Sequence, residues 1–397
     1  MVHSEDNQLA LTKKSWRQAA VHYPFLLHCQ VVGAAAAALS VCEDEMAAKY
    51  LTLKRLEYQM TAIKLIREEL QLINNGKAEP SDELIMAILN LVTSSGDFNE
   101  AQGEEVHPKS PLAQAQPVGR GGLQGLESYA LAYMVQVIDI YVSTLKGSRP
   151  LYPWMHGSQN LAAKGKCIPD QQAKELCKVL GSGLTVLSSI DVKVHQLYLE
   201  ACEVTVALDQ YHRSAEGCPD LSDRVNARNK TQHGFCSLSP AAESRTDSFE
   251  ALYEICRIAG LIFCDVVILP LPYSSGVKTR LSRRLRTVLE SPSLRVFWES
   301  AIYGELLTWV VLMGTIAATF TKARGWYLQQ LRGLVDHQQL DWNGFKELMK
   351  TFLWWNFTFE APIARIWKEI NAPSFKSKAH CSTSACLGPE TVSLEVI

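Results

Sequence analysis

Cysteine is the residue type in this chain whose chemistry depends most on spacing. Eleven cysteines are scattered over 397 residues. A binuclear zinc cluster needs six thiolates at tight spacings, because two metal ions share bridging sulfurs and each must complete a tetrahedron. Here no two cysteines are separated by two residues, and the closest pairs are Cys381 with Cys386 and Cys256 with Cys264. The spacing therefore predicts no metal site.

Other catalytic patterns are also missing from the sequence. Gly181-Ser182-Gly183 is a lone Gly-x-Gly without the third glycine or the lysine of a phosphate-binding loop, and it is better interpreted as a turn between helices. His28, His195 and His212 stand alone, and a lone helical histidine is more often a packing residue than a base. There is no Gly-x-Ser-x-Gly and no His-Glu-x-x-His. We therefore expect a protein that is not an enzyme, and we nominate no catalytic, cofactor-binding or metal-binding residue and no cofactor.

One dense group of basic residues occurs between 278 and 286, interleaved with leucines. Its members are Lys278, Arg280, Arg283, Arg284 and Arg286. The group could be a nuclear import signal or a phosphate-contacting face. The interpretation we favour is the solvated side of an amphipathic helix, with which an import role could coexist. The formal net charge of -2 gives no global basic footprint, so contact with DNA would need a local patch or a partner.

The elements that would position these residues are helices. The 47% hydrophobic and 20% charged content is that of a globular protein. The clearest periodicity is an apolar stripe that ends at Asn74-Asn75-Gly76, a sound helix stop. Its members are Leu56, Met60, Ile63, Ile66, Leu70 and Ile73. Ser81 is a candidate N-cap for the next helix, Pro24 fits a first helical turn, and no alternating strand pattern recurs. The fold class is predicted to be all-α, a multi-helix domain.

The chain divides by composition into four parts. Residues 1–210 are predicted to be an N-terminal helical part with flexible polar loops, and 211–248, which lack an apolar period, a flexible linker. Residues 249–370 are predicted to be a C-terminal helical part, and 371–397 a disordered tail. The start of the chain does not have the form of a secretory signal, so we expect reduced thiols in a cytosolic or nuclear protein.

The apolar stretch from Ala301 to Phe320 is long enough to raise the question of a membrane span. It contains Glu305 and two glycines, and its N-terminal edge has no cluster of lysine or arginine. A helix that is apolar on all sides is more often the central helix of a large α-domain. We therefore expect no membrane contact.

Several segments of the C-terminal part carry the one resemblance in this chain. They are Tyr253-Glu254-x-Cys256-Arg257-x-Ala259, Pro270-Leu271-Pro272, Arg283-Arg284-Leu285-Arg286, the run Leu306 to Ala318, Arg324-Gly325-Trp326-Tyr327, and Phe352-Leu353-Trp354. In order and spacing they resemble the C-terminal part of the fungal-specific transcription factor domain, the helical regulatory region that usually follows a binuclear zinc cluster. Weaker similarity covers Tyr23 to His28, the helix from Leu56, and Arg120-Gly121-Gly122.

The resemblance implies a nuclear helical regulatory domain that binds protein partners and small-molecule effectors. The zinc cluster of that family is not in these residues. We therefore expect a transcription regulator without its own DNA-binding domain, acting through a DNA-binding transcription factor and so reaching DNA indirectly, in a pathway-specific gene cluster such as one for a secondary metabolite. Alternatively, the true start lies upstream. A second hypothesis is a helical small-molecule-binding protein or enzyme built on the same domain, and a third is a membrane-associated protein using 301–320.

Overall fold

A computed structural model gives the architecture of most of the chain. It describes residues 20–39, 42, 44–77, 81–94, 129–155, 170–215, 217–219, 221–240, 248–268, 270, 276–298 and 300–372. Within these ranges every regular element is helical. The prediction of an all-α fold is confirmed.

The chain forms two compact units, and the N-terminal one comprises residues 1–159, 220–237 and 271–277. Its helices are α1 (Pro24–Leu39), α2 (Glu45–Asn74), α3 (Asp82–Ser94), α4 (Tyr129–Lys146) and α7 (Leu221–Ser237).

The ends of α2 and α3 follow from local chemistry. Asp44 caps α2, because its Oδ1 accepts the N–H of Ala47 at 2.7 Å. At the other end Gly76 has a φ of 68°, and the Lys77 N–H reaches back to the Leu72 carbonyl, which is the Schellman arrangement. Ser81 caps α3 by accepting the N–H of Leu84 at 3.2 Å. The predicted stop and the predicted N-cap are both confirmed.

The core of the N-terminal unit is built from apolar faces of α1 to α4. Its buried members include Leu26 and Cys29 of α1, Ile66 of α2, Leu89 of α3 and Val135 of α4. Burial raises the pKa of the Cys29 thiol to about 12, so this cysteine is a core residue at neutral pH and not a nucleophile.

The second compact unit contains residues 160–219, 238–270 and 278–397. Its helices are α5 (Gln171–Val179), α6 (Val192–His212), α8 (Ser248–Phe263), α9 (Val277–Leu289), α10 (Arg295–Trp298), α11 (Ala301–Ala317), α12 (Arg324–His337), α13 (Trp342–Thr351) and α14 (Asn356–Asn371). A 3₁₀ segment, Ser182–Ser189, precedes α6, and a second one, Pro292–Leu294, precedes α10. A π-helical segment, Cys264–Ile268, continues α8.

Helix α11 is the centre of the C-terminal unit. Its residues from Leu306 to Ala317 are buried on every side, and α8 and α12 are among the helices that pack against it. The prediction that the apolar stretch 301–320 contains a central helix is therefore confirmed. No described helix is both long and apolar enough to cross a membrane.

The predicted domain boundaries need correction. The supposed linker 211–248 contains the last residues of α6 and all of α7, a polar helix whose apolar period is too weak to be recognised in the sequence. Residues 160–219 belong with the C-terminal unit and not with 1–159. Two predictions lie largely outside the described residues: the flexible polar loops of 1–210, where they fall within 95–128 and 156–169, and the tail beyond 372.

Candidate functional site

The segments that carry the family resemblance meet around α11. Gly314 on α11 lies against the ring of Tyr327, and a Cβ at this glycine would stand 2.1 Å from the Tyr327 Cε1 atom. The hydroxyl of Tyr327 donates to the Ser282 carbonyl on α9 at 2.6 Å. Tyr327 of α12 thus connects α11, through Gly314, with the arginine-rich helix α9, through Ser282.

A second contact joins α11 to the Phe352-Leu353-Trp354 segment. The indole N–H of Trp309 donates to the Leu353 carbonyl at 3.2 Å, and the Trp309 and Phe352 rings stack with centroids 6.1 Å apart. Trp309 also packs edge-to-face with Tyr198, whose hydroxyl donates to the Cys256 carbonyl at 2.7 Å. Burial raises the pKa of the Tyr198 phenol well above its ordinary value. Each buried polar atom of these rings therefore has a hydrogen-bond partner.

A buried ionic triad links α8 to α9. Glu254 and Arg257 are both almost wholly buried, and the Arg257 guanidinium donates to both carboxylate oxygens of Glu254, at 2.8 and 2.9 Å. Arg284 from α9 reaches the same carboxylate at 2.8 Å. The two fully buried charges, those of Glu254 and Arg257, compensate each other, while Arg284 is 35% exposed and keeps contact with solvent.

The π-helical segment holds a second buried ion pair. Asp265 is fully buried, and the Lys278 Nζ forms an ion pair with its Oδ2 at 3.0 Å. The same Nζ donates to the Asp265 backbone carbonyl at 3.2 Å. A π-turn leaves backbone carbonyls without their usual helical partners, so a lysine that binds this carbonyl stabilises the turn.

These contacts change the interpretation of the basic cluster. Val277–Leu289 is a helix with Leu281, Leu285 and Leu289 buried, as predicted. It is not a uniformly solvated basic face, because Lys278 is buried against Asp265 and Arg284 binds Glu254. The charges at 278 and 284 were misassigned because their carboxylate partners lie on another helix.

The N-terminal unit contains a different kind of buried polar group. Gln136 and Asp139 on α4 and His233 on α7 all bind the two-residue segment Tyr152-Pro153. The Gln136 Nε2 donates to the Pro153 carbonyl at 2.5 Å, Asp139 accepts the Tyr152 N–H at 2.9 Å, and His233 Nε2 lies 2.9 Å from the Tyr152 carbonyl. These three side chains hold one short segment from two helices.

A neighbouring set of contacts joins α4 directly to α7. The Gln232 Nε2 donates to the Thr144 hydroxyl oxygen at 3.1 Å, and that hydroxyl donates in turn to the Ile140 carbonyl at 2.8 Å. Cys236 Sγ lies 3.2 Å from the same oxygen. We call Gln136, Asp139, Thr144, Gln232 and His233 the α4–α7 polar cluster.

Two oxygens of the α4–α7 polar cluster stand out. Gln136 and Gln232 are fully buried, yet neither Oε1 atom accepts a hydrogen bond within the described part of the chain. The amide orientation of Gln136 is fixed because its Nε2 donates to a carbonyl oxygen. That of Gln232 follows because the Thr144 hydroxyl donates to the Ile140 carbonyl and so accepts from Gln232. A buried carbonyl without a donor costs about 1–3 kcal/mol, so these two oxygens are suited to accept N–H or O–H groups from a bound molecule or from water.

Asp139 adds a carboxyl group whose proton affinity is shifted. Burial raises the pKa of Asp139, while the N–H groups of Tyr152 and Leu151 and the charge of His233 act in the opposite direction. The α4–α7 polar cluster thus combines a buried carboxyl group with two carbonyl oxygens that accept no hydrogen bond in the described chain.

The sequence nominated no site residues, and the clusters described here were missed. On α4 the polar residues Gln136, Asp139 and Ser143 recur at intervals of three and four on an otherwise apolar helix. That polar period is the signal that could have located the cluster. The His28 ring lies beside Tyr58, with ring centroids 5.3 Å apart, and the His212 ring packs on Phe357 with centroids 3.8 Å apart.

The described cysteines are all unpaired thiols, and no group of three or more potential metal ligands occurs among the described residues. Cys256 and Cys264 lie buried on α8 and the π-helical segment, whereas Cys381 and Cys386 lie outside the described residues. Comparison with protein-family models, with curated proteins and with solved structures finds no match to this chain.

Proposed function

We propose that this protein is a transcription regulator of the fungal-specific class that acts through protein partners, with no zinc cluster in these 397 residues. It works in the nucleus, reaches DNA through a DNA-binding transcription factor, and controls a pathway-specific set of genes such as a secondary-metabolite cluster.

The observation that supports the proposal is the convergence of the resembling segments. Tyr327 binds Gly314 and Ser282, Trp309 binds Leu353, and Glu254 binds Arg284. A pattern spread over about a hundred residues thus corresponds to one set of contacts around α11, which gives its spacing a structural reason. The residues of this pattern pack the helices against each other. Binding of partners would therefore use the outer surfaces of these helices.

Chromatin immunoprecipitation of the tagged full chain in its native cell tests the proposal, under conditions in which the gene is expressed. We expect enrichment at discrete promoters and changed transcripts of the adjoining genes when the gene is deleted. Co-purification of the enriched factor with the tagged chain would identify the partner. A protein excluded from the nucleus, with no promoter enrichment, would contradict the proposal.

A second candidate function is the binding of a small effector, and a specific observation favours it. The unpartnered oxygens of Gln136 and Gln232 provide acceptors for a ligand with N–H groups. A panel of amino acids, amides and polyamines is expected to contain a compound that raises the melting temperature of the full chain, because binding to the native state stabilises it. The matched control is the double variant Gln136→Leu/Gln232→Leu. Its melting temperature should be the same with and without the compound. A rise of equal size in that variant would exclude these oxygens.

A further inference from the structure

The long helix α2 exposes an apolar stripe. Its members are Met46, Tyr50, Leu53, Leu56 and Met60, which are between 46% and 74% exposed. They recur at intervals of four, three, three and four residues, which places them on one side of the helix. At 1.5 Å per residue the stripe is about 22 Å long. We call these five residues the α2 stripe.

The α2 stripe is distinct from the side of α2 that builds the core. Ala62 and Ile66 are buried, Leu70 and Ile73 pack against the core, and α1 and α3 cover that side of the helix. The sequence predicts a single stripe running from Leu56 to Ile73, but only its later part enters the core. A helix in a monomeric protein normally buries one apolar face, so a second, exposed face indicates an interaction surface.

We propose that the α2 stripe binds the α2 stripe of a second copy of this chain, with the two helices antiparallel. The intervals average 3.5 residues, the spacing that two helices require when they pack side by side along their length. A symmetric pair centred on Leu53 places Leu53 opposite Leu53 and Met46 opposite Met60, so the whole stripe is covered by an identical one.

Two charged residues, Lys49 and Glu57, lie on the same side of α2 as the stripe, and their signs favour this occupant and this direction. In the antiparallel pair Lys49 of each copy faces Glu57 of the other, which gives two ion pairs related by symmetry. In a parallel pair in register, Lys49 would instead meet Lys54 of the second copy, which is repulsive. The surface is therefore complementary to itself in this antiparallel pair and not in the parallel pair in register.

Forming these ion pairs between two copies breaks only weak ion pairs within each chain. In the single chain Lys49 binds Glu45 and Lys54 binds Glu57, each at 2.8 Å, and all four side chains are 43% to 84% exposed. Exposed pairs within one helix contribute little to stability. Lys49 and Glu57 can therefore change partners as the second copy docks.

Sedimentation velocity of the full chain over a range of concentrations tests the proposal. We expect a reversible dimer for the wild type and a monomer for Leu53→Glu, which places two carboxylates at the centre of the pair. Far-ultraviolet circular dichroism checks that the helix content of the variant is unchanged. A wild-type chain that remains monomeric at tens of micromolar, or a dimer that Leu53→Glu does not weaken, would overturn the proposal.

A charge exchange separates the antiparallel pair from every other dimer. Lys49→Glu alone and Glu57→Lys alone should each raise the dimer dissociation constant roughly tenfold to a hundredfold, because two attractive pairs become repulsive. An equimolar mixture of these two variants should form the heterodimer, in which both pairs are attractive again, and native mass spectrometry distinguishes it from the homodimers. Arg67→Glu, a charge reversal on α2 beyond the stripe, is the matched control and should leave the dimer unchanged. Failure of the mixture to associate would overturn the antiparallel arrangement.

This inference does not depend on the proposed function. A dimer of the predicted symmetry could form whether or not the protein is found at promoters.

Discussion

The two units treat their buried polar groups differently. In the C-terminal unit the Glu254 carboxylate serves Arg257 and Arg284, and Lys278 is held against Asp265. In the N-terminal unit Gln136 and Gln232 are equally buried, but each leaves its Oε1 without a donor in the described chain. The first arrangement is closed, because its charges satisfy each other. The second arrangement leaves two buried carbonyl oxygens without a hydrogen-bond donor in the described chain.

The largest loss of stability is expected from a substitution in the buried ionic triad of the C-terminal unit. Glu254→Ala removes the carboxylate that two guanidinium groups bind, and leaves Arg257 buried without it. Removing one partner of a buried ion pair costs about 3–5 kcal/mol. Urea unfolding followed by tryptophan fluorescence measures the change, because all tryptophans except Trp16 and Trp154 belong to the C-terminal unit.

The matched control for the triad is an exposed pair with the same spacing. Glu175 binds Lys178 three residues later at 2.8 Å, with both side chains more than half exposed. Glu175→Ala should change the free energy of unfolding by less than about 1 kcal/mol. Equal losses for Glu175→Ala and Glu254→Ala would contradict the claim that the triad is a closed, stabilising unit.

A somewhat smaller loss is expected at the contact between α11 and α12. In Gly314→Ala the new methyl group meets the ring of Tyr327, which is buried and hydrogen-bonded and cannot move without breaking its bond to Ser282. Overpacking of this kind costs about 1–3 kcal/mol. On α12, Gly333 has no atom within 4 Å of a new Cβ, so Gly333→Ala should stabilise the protein by about 0.5–1 kcal/mol. Thermal unfolding of the two variants compares them, and a stabilised Gly314→Ala would disprove the close approach.

The sequence allowed different parts of this structure to be predicted, for physical reasons. Helix α11 could be identified because it is apolar on every side, and α2 could be bounded because Asn75 and Gly76 form a recognisable stop. Helix α7 could not, since its contacts are polar and their partners are distant. Asn229, for example, donates to the Tyr133 hydroxyl, 96 residues away. Periodicity also cannot show what covers a stripe, so the exposed part of α2 was indistinguishable from the buried part.

The same limit explains why the candidate site was not predicted. The acceptors of Gln136 and Gln232 become notable only when burial is known, and burial of 136 depends on how 152–153 folds against α4. Buried charges were missed likewise, because Lys278 and Arg284 look identical in sequence to their solvated neighbours.

A substitution in the N-terminal unit tests whether the Gln232 oxygen lacks a donor. Gln232→Leu removes a donor to Thr144, but that hydroxyl keeps its bond to the Ile140 carbonyl and its contact with Cys236. Because an unpartnered oxygen is removed at the same time, the stability should change by less than about 1 kcal/mol. Hydrogen exchange of the peptides covering α4 and α7 measures this change in stability within the N-terminal unit alone. A loss as large as that of Glu254→Ala would mean that Gln232 is part of a fully bonded network after all.

The smallest expected effect is a pH dependence in the same cluster. Burial raises the pKa of Asp139 in the folded protein, so its contribution to stability is complete below the unfolded pKa of about 3.9 and is lost as the pH rises through the raised value. Asparagine at this position stays neutral and can still accept the Tyr152 N–H. The stability of Asp139→Asn relative to wild type should therefore increase between about pH 4 and pH 7, as measured by hydrogen exchange of α4. Asp170→Asn is the control with the opposite sign, because Arg213 lowers the pKa of Asp170. The Asp170 carboxylate contributes fully to stability above its unfolded pKa. The difference in stability between Asp170→Asn and wild type should therefore stay constant over the upper part of this pH range. If the Asp139→Asn difference is also constant, then His233 and the N–H groups of Tyr152 and Leu151 fully compensate the burial of Asp139, and the N-terminal unit is as closed as the C-terminal one.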